Sequence, residues 1–334
     1  MKIWIPTLRC GSGSDVYFQS LAEQLTHAGH DVTLTWFPHR YEPVPFPLRR
    51  IAPPPGTDII HSSSWHGFAF KRAGIPLVVT LHHCVHDPAF RAFSSLAQTA
   101  YHRSLIKRYE KWSLAAAALA VGVSKYTLDR YRERFDLPRT ILIYNGVDTG
   151  FFQPEESPPS RNDGPFRLLF VGSNSRRKGF DLLPEVMRGL GDGYILRYTS
   201  GKPLLPSPLP SNMVNIGRLT REKLLAEYRQ CDAVLYPSRY EGFGYVVAEG
   251  LACGKAVITC GGTSIDEILQ ACGADLPRAD GSVASLVAVV KEMAARPCSA
   301  DDMERARACV AREFSVSVQA RQVESAYNSL TGMT

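Results

Sequence analysis

Two glutamates eight positions apart, Glu241 and Glu249, flank a glycine-containing turn in the second half of the chain. An apolar run ends at Tyr236, and a helical pattern begins near Gly244. Amides at a helix start, approached closely across glycines, form a binding site for a diphosphate. Glu241 is placed to contact sugar hydroxyls, and Glu249 to accept hydrogen bonds from the two hydroxyls of a ribose. The alternative is a plain strand-to-helix connection with solvated glutamates.

Three adjacent cations, Arg176, Arg177 and Lys178, lie in a loop between Gly172 and Gly179 that follows an apolar run. Fixed cations stabilise negative charge that develops on a leaving diphosphate more than they stabilise the ground state. A solvated basic turn is the alternative. Gly11-Ser12-Gly13-Ser14 forms another loop after the first apolar run, but Val16 stands where a full dinucleotide fingerprint needs glycine.

All nine histidines lie in the first 102 residues, and three of them crowd together at His82, His83 and His86. This segment follows an apolar run, so it is predicted to be a loop at the end of a strand. Two imidazoles and Asp87 could bind zinc. The alternative for His83 and His86 is that they only cap the strand end.

Short apolar runs alternate with helical patterns along the whole chain, which favours parallel sheets covered by helices. The first helix is expected to bury Leu21, Leu25 and Ala28 and to end at Gly29. The predicted strands are Lys2–Pro6, Asp31–Trp36, Asp58–His61, Leu77–His82, Leu119–Ser124, Thr140–Tyr144, Phe166–Val171, Tyr194–Thr199, Val214–Ile216, Ala233–Tyr236 and Ala256–Thr259.

A Pro-rich polar stretch, Pro154–Pro165, interrupts the alternation as linkers do. It predicts two α/β domains, 1–153 and 154–312, with a final helical segment, 313–334. The Pro-rich stretch Pro38–Pro55 is predicted to be a loop within the first domain. Ligands of parallel sheets bind beyond the carboxyl ends of the strands, so facing sheets would form a cleft between the domains.

The composition fits a globular protein: 334 residues, of which 45% are hydrophobic and 21% charged. Apolar runs are far shorter than the roughly 20 residues that span a bilayer, and the first residues are too short a run for a secretory signal. We therefore expect a cytoplasmic protein. The eight cysteines lack a CxxC pair and suit reduced, mostly buried thiols rather than a disulfide framework or a zinc site.

The net charge of +6 lies entirely in the first half, where residues 1–150 carry 17 Lys and Arg against 11 Asp and Glu. This points to an anionic partner or to an ordinary solvated face. The stretch Tyr101–Trp112 is predicted to be a basic amphipathic helix, which either lies on anionic lipid or packs its apolar face on the sheet. Nucleic-acid binding is the weakest of these hypotheses.

The Glu241–Glu249 segment resembles the E-x7-E motif of retaining glycosyltransferases of family 4, which have the GT-B fold of two Rossmann-like domains. Other segments resemble the same family in the same order: Thr80-Leu81-His82, Val121-Gly122-Val123-Ser124, Ile143–Asp148 and Leu168–Gly179. The Arg177-Lys178-Gly179 sequence is similar to the loop of the lipopolysaccharide-core glucosyltransferases. Ser173 departs from the family pattern, in which many members have arginine after the first glycine.

The resemblance implies that Arg177 and Lys178 hold the diphosphate, that Glu241 orients the sugar and that His82 lies near the transferred sugar. The role of Arg176 is left open. The remaining residues expected at the donor are Gly13, Gly172, Phe243, Gly244, Tyr245 and Glu249. The final segment is expected to cross back to the first domain as a helix with Phe314, Val318, Val323, Tyr327 and Leu330 on its apolar face.

The implied activity is that of a hexosyltransferase acting with retention, without metal or other cofactor, in cell-envelope polysaccharide or lipopolysaccharide synthesis. Its expected partners are a UDP- or GDP-linked sugar and a glycan or lipid-linked acceptor, with peripheral contact to an anionic membrane and no nucleic acid. The competing hypotheses are a sugar-nucleotide epimerase or phosphorylase on the same scaffold, and a non-catalytic module that binds nucleotide sugars.

Overall fold

A computed structural model describes residues 1–155, 164–201, 209–273 and 276–332. The chain divides into two units, Met1–Gly146 with Phe314–Thr334, and Val147–Glu313. The predicted boundary at 153/154 therefore lies seven residues too late. Val147–Phe152 belongs to the second unit because Asp148 pairs with Arg221 at 2.6 Å and Phe152 packs on Tyr228. Most of the predicted linker, 156–163, lies outside the described residues.

The first unit contains a six-stranded parallel sheet in the order β2-β1-β3-β4-β5-β6. Fully buried runs such as Leu77–Leu81 explain this arrangement, because a parallel sheet covered on both faces hides every side chain. Its strands are β1 Lys2–Arg9, β2 Asp31–Pro38, β3 Ile59–Ser63, β4 Leu77–Leu81, β5 Leu119–Gly122 and β6 Thr140–Leu142. Its described helices are α1 Gly13–His27, α2 Gly67–Phe70, α3 Pro88–Arg91, α4 Leu96–Tyr101, α5 Lys107–Ala116, α6 Lys125–Arg132 and, from the end of the chain, α13 Val316–Thr331.

The second unit contains a five-stranded parallel sheet in the order β11-β10-β7-β8-β9. Its strands are β7 Phe166–Phe170, β8 Tyr194–Thr199, β9 Met213–Gly217, β10 Ala233–Tyr236 and β11 Ala256–Thr259. Its described helices are α7 Leu183–Leu190, α8 Arg221–Gln230, α9 Tyr245–Ala252, α10 Ile265–Ala271, α11 Val283–Ala295 and α12 Ala300–Glu313. Each sheet is thus wound as the alternating sequence pattern predicts.

The segment after α12 joins the first unit through α13. Its Tyr327 hydroxyl lies 2.6 Å from Nδ1 of His61, a residue in the middle of β3, and Glu324 pairs with His30 at 2.9 Å. The predicted single helix from residue 313 is interrupted at Phe314 and Ser315, because the Ser315 hydroxyl accepts from the Val318 amide and starts a new helix. A buried chain of hydrogen bonds continues from His61 through Thr80 to the Tyr17 hydroxyl.

Several predicted boundaries differ from the structure. Helix α1 ends at His27, so Ala28 is exposed rather than buried. The predicted helix from Tyr101 to Trp112 is present, but a π-helical segment, His102–Ile106, joins α4 to α5 within it. Trp112 in α5 is 37% exposed and packs on Phe68 with ring centroids 5.3 Å apart. The predicted loop Pro38–Pro55 contains two short 3-10 turns, His39–Tyr41 and Phe46–Arg50.

Candidate functional site

A lysine and a glutamate from different loops meet beyond the carboxyl ends of β7 and β10. Lys178 Nζ donates to Glu241 Oε1 at 2.5 Å and to the Tyr236 hydroxyl at 2.6 Å. The hydroxyls of Tyr236 and Ser238 donate to the same carboxylate oxygen at 2.7 and 2.6 Å. Because β7 and β10 are neighbours in the sheet, the loops that follow them lie side by side. Lys178 thereby joins a cluster with Tyr236 and Glu241, which lie 58 and 63 positions further along the chain.

The cluster is charged although it is mostly buried. The side chains of Lys178 and Glu241 are 16% and 9% exposed. Burial disfavours ionisation of Glu241, but the charges of Lys178 and Arg177 outweigh it and lower the pKa of the carboxyl to about 2. The site therefore holds an ionised carboxylate beside Lys178 and Arg177 at neutral pH, a fixed arrangement that can orient a polar ligand.

Hydrogen bonds of the backbone and of two arginine side chains hold the two loops together. The Arg239 amide donates to the Arg177 carbonyl at 2.8 Å, and Arg177 Nη1 donates to the Tyr240 carbonyl at 3.0 Å. The Arg239 guanidinium binds both oxygens of Asp181, at 2.6 and 3.1 Å. Arg176, whose role the sequence leaves open, is exposed. The side chains of Arg177 and Lys178 thus share the crowded side of the turn while Arg176 points to solvent.

Gly179 allows the close approach of these loops. Its φ is +75°, and a Cβ added there would lie 2.1 Å from the Pro237 carbonyl oxygen. We expect Gly179→Ala to lower the free energy of unfolding by at least about 2 kcal/mol, because both the backbone and the neighbouring loop must shift. Urea unfolding measures the change in the free energy of unfolding. Nucleotide binding by the variant is measured as a second readout.

Gly217→Ala is the matched control, since Gly217 has a φ of +70° with nothing within 4 Å of the added Cβ. It should lose only about 1 kcal/mol, the ordinary penalty of a left-handed alanine. An equal loss of unfolding free energy in the two variants would show that the contact with Pro237 does not contribute to the destabilisation.

The turn between Glu241 and α9 is fixed from α10. Ser264 Oγ donates to the carbonyls of Glu241 and Phe243 at 3.1 and 3.0 Å. Gly244 caps α9 with a φ of +103°, and an added Cβ would lie 3.0 Å from Ile265. The first amides of an α-helix lack intrahelical acceptors, so this helix start is suited to an anion.

Glu249 lies in α9 and contacts α8. Its Oε2 accepts from the Tyr228 hydroxyl at 2.8 Å. Burial raises the pKa of Glu249 to about 7, although the Tyr228 hydrogen bond and the charge of Arg221 oppose the rise. Glu249 therefore titrates near neutral pH, in contrast to Glu241.

Two family models match the chain in consecutive segments. Residues 34–151 match Glycosyltransferase Family 4, and residues 165–295 match Glycosyl transferases group 1. The chain belongs to glycosyltransferase family 4 and contains a group 1 glycosyltransferase domain. The described α/β units with their parallel sheets are those expected of a GT-B glycosyltransferase.

Curated relatives agree with this assignment, and a solved structure shares the fold. An uncharacterised glycosyltransferase of Methanocaldococcus jannaschii is 27% identical over 232 residues, 64% of this chain and 59% of that protein, so the match spans less than two thirds of this relative. The lipopolysaccharide core biosynthesis mannosyltransferase LpcC of Rhizobium leguminosarum bv. viciae is 27% identical over 296 residues, 80% of this chain and 78% of LpcC. HepE of Anabaena, solved in complex with UDP-glucose, has a TM-score of 0.78 at 16% identity, covering 98% of this chain and 100% of HepE.

The site residues predicted from the sequence divide between the two units. Arg177, Lys178 and Glu241 lie together in the second unit. Gly172 follows β7, and its amide donates to Thr199 at 2.9 Å. The others of that unit lie on the turn before α9 or in α9 itself: Phe243, Gly244, Tyr245 and Glu249. Gly13 and His82 belong to the first unit, after β1 and β4 respectively.

His82 directly follows β4 instead of ending it. Its ring packs edge-on against Tyr17 and Phe18, with centroids 4.9 and 5.5 Å apart. Burial lowers the pKa of His82 to about 4, so the ring is neutral at pH 7. Its Nε2 is buried, and no hydrogen-bond partner for it occurs among the described residues. A neutral imidazole with an unsatisfied nitrogen can bind a ligand hydroxyl.

Two of the residues in the zinc alternative, His86 and Asp87, contact other groups of the protein. His86 Nε2 lies 2.7 Å from Oε2 of Glu110, a carboxylate that is fully buried on α5. Asp87 caps α3 by accepting from the Ala89 amide at 3.0 Å. These contacts order the loop after β4.

Sequence patterns do not identify three hydroxyl groups of the site. Tyr236 and Ser238 belong to the stretch that leads into the glycine-containing turn, but their contacts with Glu241 depend on how that turn folds back. Tyr228 gives no signal at all, because it reads as an ordinary apolar position of α8 and its contact with Glu249 joins residues 21 positions apart.

Proposed function

We propose that the protein transfers a sugar, with retention of anomeric configuration, from a nucleoside diphosphate donor bound by the second unit. The cluster of Lys178, Glu241 and Tyr236 beside the start of α9 carries this proposal. The diphosphate lies at the amides of α9, where Arg177 and Lys178 neutralise it. Glu241 accepts hydrogen bonds from the sugar, and Glu249 from the ribose.

The bond between the anomeric carbon and the diphosphate oxygen breaks as the acceptor oxygen attacks the same face of the sugar. The acceptor proton passes to the departing phosphate oxygen, so the step requires no dedicated protein base. The two cations and the helix amides stabilise the negative charge on the leaving group, and we propose that they do so without a metal ion. In the first unit, neutral His82 binds a hydroxyl of a substrate, and the backbone at Gly13 approaches a substrate.

The donor is most simply a UDP- or GDP-linked hexose. HepE, which shares the fold, was solved with UDP-glucose, and the relative LpcC is a mannosyltransferase of lipopolysaccharide core biosynthesis. The acceptor is a glycan or lipid-linked sugar of the cell envelope. The excess of basic residues in 1–150 favours an acceptor that carries negative charge.

A thermal-shift panel of UDP, GDP, ADP and their sugar conjugates, in EDTA, tests the donor site. Ligand binding to the folded state raises the melting temperature. We expect one base to be selected, and the shift to disappear in Lys178→Ala but to persist in Lys291→Ala, whose side chain is exposed on α11. Absence of any shift from folded protein would contradict the proposal. NMR of the product then reports the anomeric configuration, and epimerised free donor would instead indicate an epimerase.

Nucleotide binding is expected to depend on pH through Glu249. Only the ionised carboxylate accepts bonds from both ribose hydroxyls, and its pKa is about 7. The dissociation constant should therefore rise as the pH falls below 7, up to about tenfold per pH unit. Calorimetry on the wild type and on Glu249→Gln separates this effect from titration of the diphosphate, because only the wild type contains the carboxyl. Identical pH profiles in both proteins would contradict the assignment of Glu249.

We also propose that the first unit touches an anionic membrane. Among the described residues, no helix is long and apolar enough to cross a bilayer. Phe46 and Trp112, 42% and 37% exposed, contact each other with ring centroids 6.1 Å apart. Arg49 and Arg108 stack on these rings. Exposed aromatic rings beside arginines suit the interface of anionic lipids.

Replacing both Phe46 and Trp112 by alanine is expected to weaken sedimentation with anionic vesicles by at least about tenfold, through the lost apolar area. Val16→Ala, a 54% exposed apolar position on α1, is the control and should bind as the wild type does. Equal binding of all three proteins, or equal binding to neutral vesicles, would contradict the membrane proposal.

A further inference from the structure

Three residues with metal-binding side chains lie together at the carboxyl ends of β1 and β2. The last paired residues of these strands are Arg9 and Pro38, so Cys10 and His39 are the next neighbours in register. A 3-10 turn follows, and the Glu42 amide donates to the His39 carbonyl at 2.9 Å. The turn brings Glu42 back over His39 and beside Cys10.

The ligand atoms of Cys10, His39 and Glu42 all lie within 4.8 Å of one another. His39 Nε2 and Glu42 Oε2 are 2.9 Å apart. Tetrahedral zinc, with bonds of about 2.0 to 2.3 Å, separates its ligand atoms by about 3.3 to 3.8 Å. Small rotations of these side chains are enough to reach that geometry, because Cys10 is exposed and the His39 side chain is 58% exposed.

The chemistry of this set favours zinc over the hard divalent cations. Magnesium and calcium take oxygen ligands, whereas a thiolate with an imidazole and a carboxylate suits Zn²⁺. Glu42 also has an outer partner, since the Tyr101 hydroxyl donates to its Oε1 at 3.2 Å. Asp15 orders the loop by accepting from the amides of Cys10 and Gly11, at 3.1 and 2.8 Å.

We propose that Cys10, His39 and Glu42 bind one Zn²⁺ ion, with water at the fourth position. On binding, the Cys10 thiol releases its proton to solvent and coordinates as thiolate. The ion ties the ends of β1 and β2 together and fixes the loop that leads to Gly13. None of these three residues belongs to the proposed donor site, and the existence of the zinc site does not depend on the proposed transfer reaction.

Metal titration of the full chain, stripped with EDTA and exchanged into metal-free buffer, tests the site. Zn²⁺ is titrated in competition with a chromophoric chelator, and Co²⁺ serves as the probe for thiolate ligation through its near-ultraviolet charge-transfer absorption. The variants are Cys10→Ser, His39→Ala and Tyr101→Phe. The controls are Cys298→Ser, at a half-buried thiol of the second unit, and His27→Ala, at an exposed histidine of α1.

We expect one equivalent of Zn²⁺ and the thiolate–cobalt band in the wild type and in both controls. Cys10→Ser should abolish the band, His39→Ala should lose the bound equivalent, and Tyr101→Phe should weaken binding by about tenfold through the outer partner. The proposal is overturned if the wild type shows no band, or if Cys10→Ser and His39→Ala bind the ions as the wild type does. Circular dichroism of each variant confirms that loss of metal is not loss of folding.

Discussion

Replacing Lys178 by alanine is expected to lower kcat/KM for glycosyl transfer by about 10²- to 10³-fold. Lys178 supplies a fixed positive charge where the proposed reaction develops negative charge on the diphosphate. Alanine removes that charge and leaves Glu241 with the hydroxyls of Tyr236 and Ser238 and the nearby charge of Arg177. The variant should show a lower kcat as well as weaker donor binding, since the charge on the leaving group grows in the transition state.

Lys291→Ala provides the matched comparison in the same unit and should retain wild-type kinetics. Lys178→Arg separates charge from shape, because arginine keeps the charge but cannot place it as a single Nζ between Tyr236 and Glu241. We expect it to recover only part of the activity. A Lys178→Ala enzyme with unchanged kcat and a raised KM would mean that Lys178 serves ground-state binding alone.

Glu241→Gln is expected to reduce kcat by about 10²-fold, the second large effect. The substitution preserves shape but removes the negative charge to which three donors point at Oε1. A charge-assisted hydrogen bond contributes roughly 1.5 to 3 kcal/mol, and the amide cannot orient both Lys178 and a sugar hydroxyl as the carboxylate does. Steady-state kinetics with saturating donor measure the change.

Glu292→Gln, at an exposed position of α11, is the control. The double variant Lys178→Ala with Glu241→Gln tests whether the two residues act as a unit. If they do, its loss will be clearly smaller than the product of the two single losses. Multiplicative losses, or a Glu241→Gln enzyme that changes only KM, would show that the contact between the two side chains does not matter for turnover.

The ion pair between Lys178 and Glu241 also bears on how a donor enters. Lys178 already has partners in this structure, so binding of a phosphate to it requires Lys178 to share or exchange them. Glu241 keeps the hydroxyl groups of Tyr236 and Ser238 when Lys178 turns away, and its carboxylate is never left without donors. The proposed exchange therefore avoids the large penalty of an unpaired buried charge.

The alternating pattern of the sequence predicts the elements well because periodicity is a local property. The strands Tyr194–Thr199, Ala233–Tyr236 and Ala256–Thr259 have the predicted bounds. Errors lie at element ends, where capping contacts decide the outcome. Ser124 and Ser315 illustrate this point, since each hydroxyl starts a helix within a stretch that apolar pattern alone assigns to a strand or to a continuous helix.

The sequence by itself determined the family, the two parallel sheets and the residue types around the glycine turns, because these depend on local spacing and on motifs in order. Only the tertiary structure decided that Lys178 meets Tyr236 and Glu241, that Tyr228 holds Glu249, and that Cys10 lies beside His39. Each of these contacts requires a particular strand order or helix packing. Strand order is set by how the whole core packs, and no single segment carries that information.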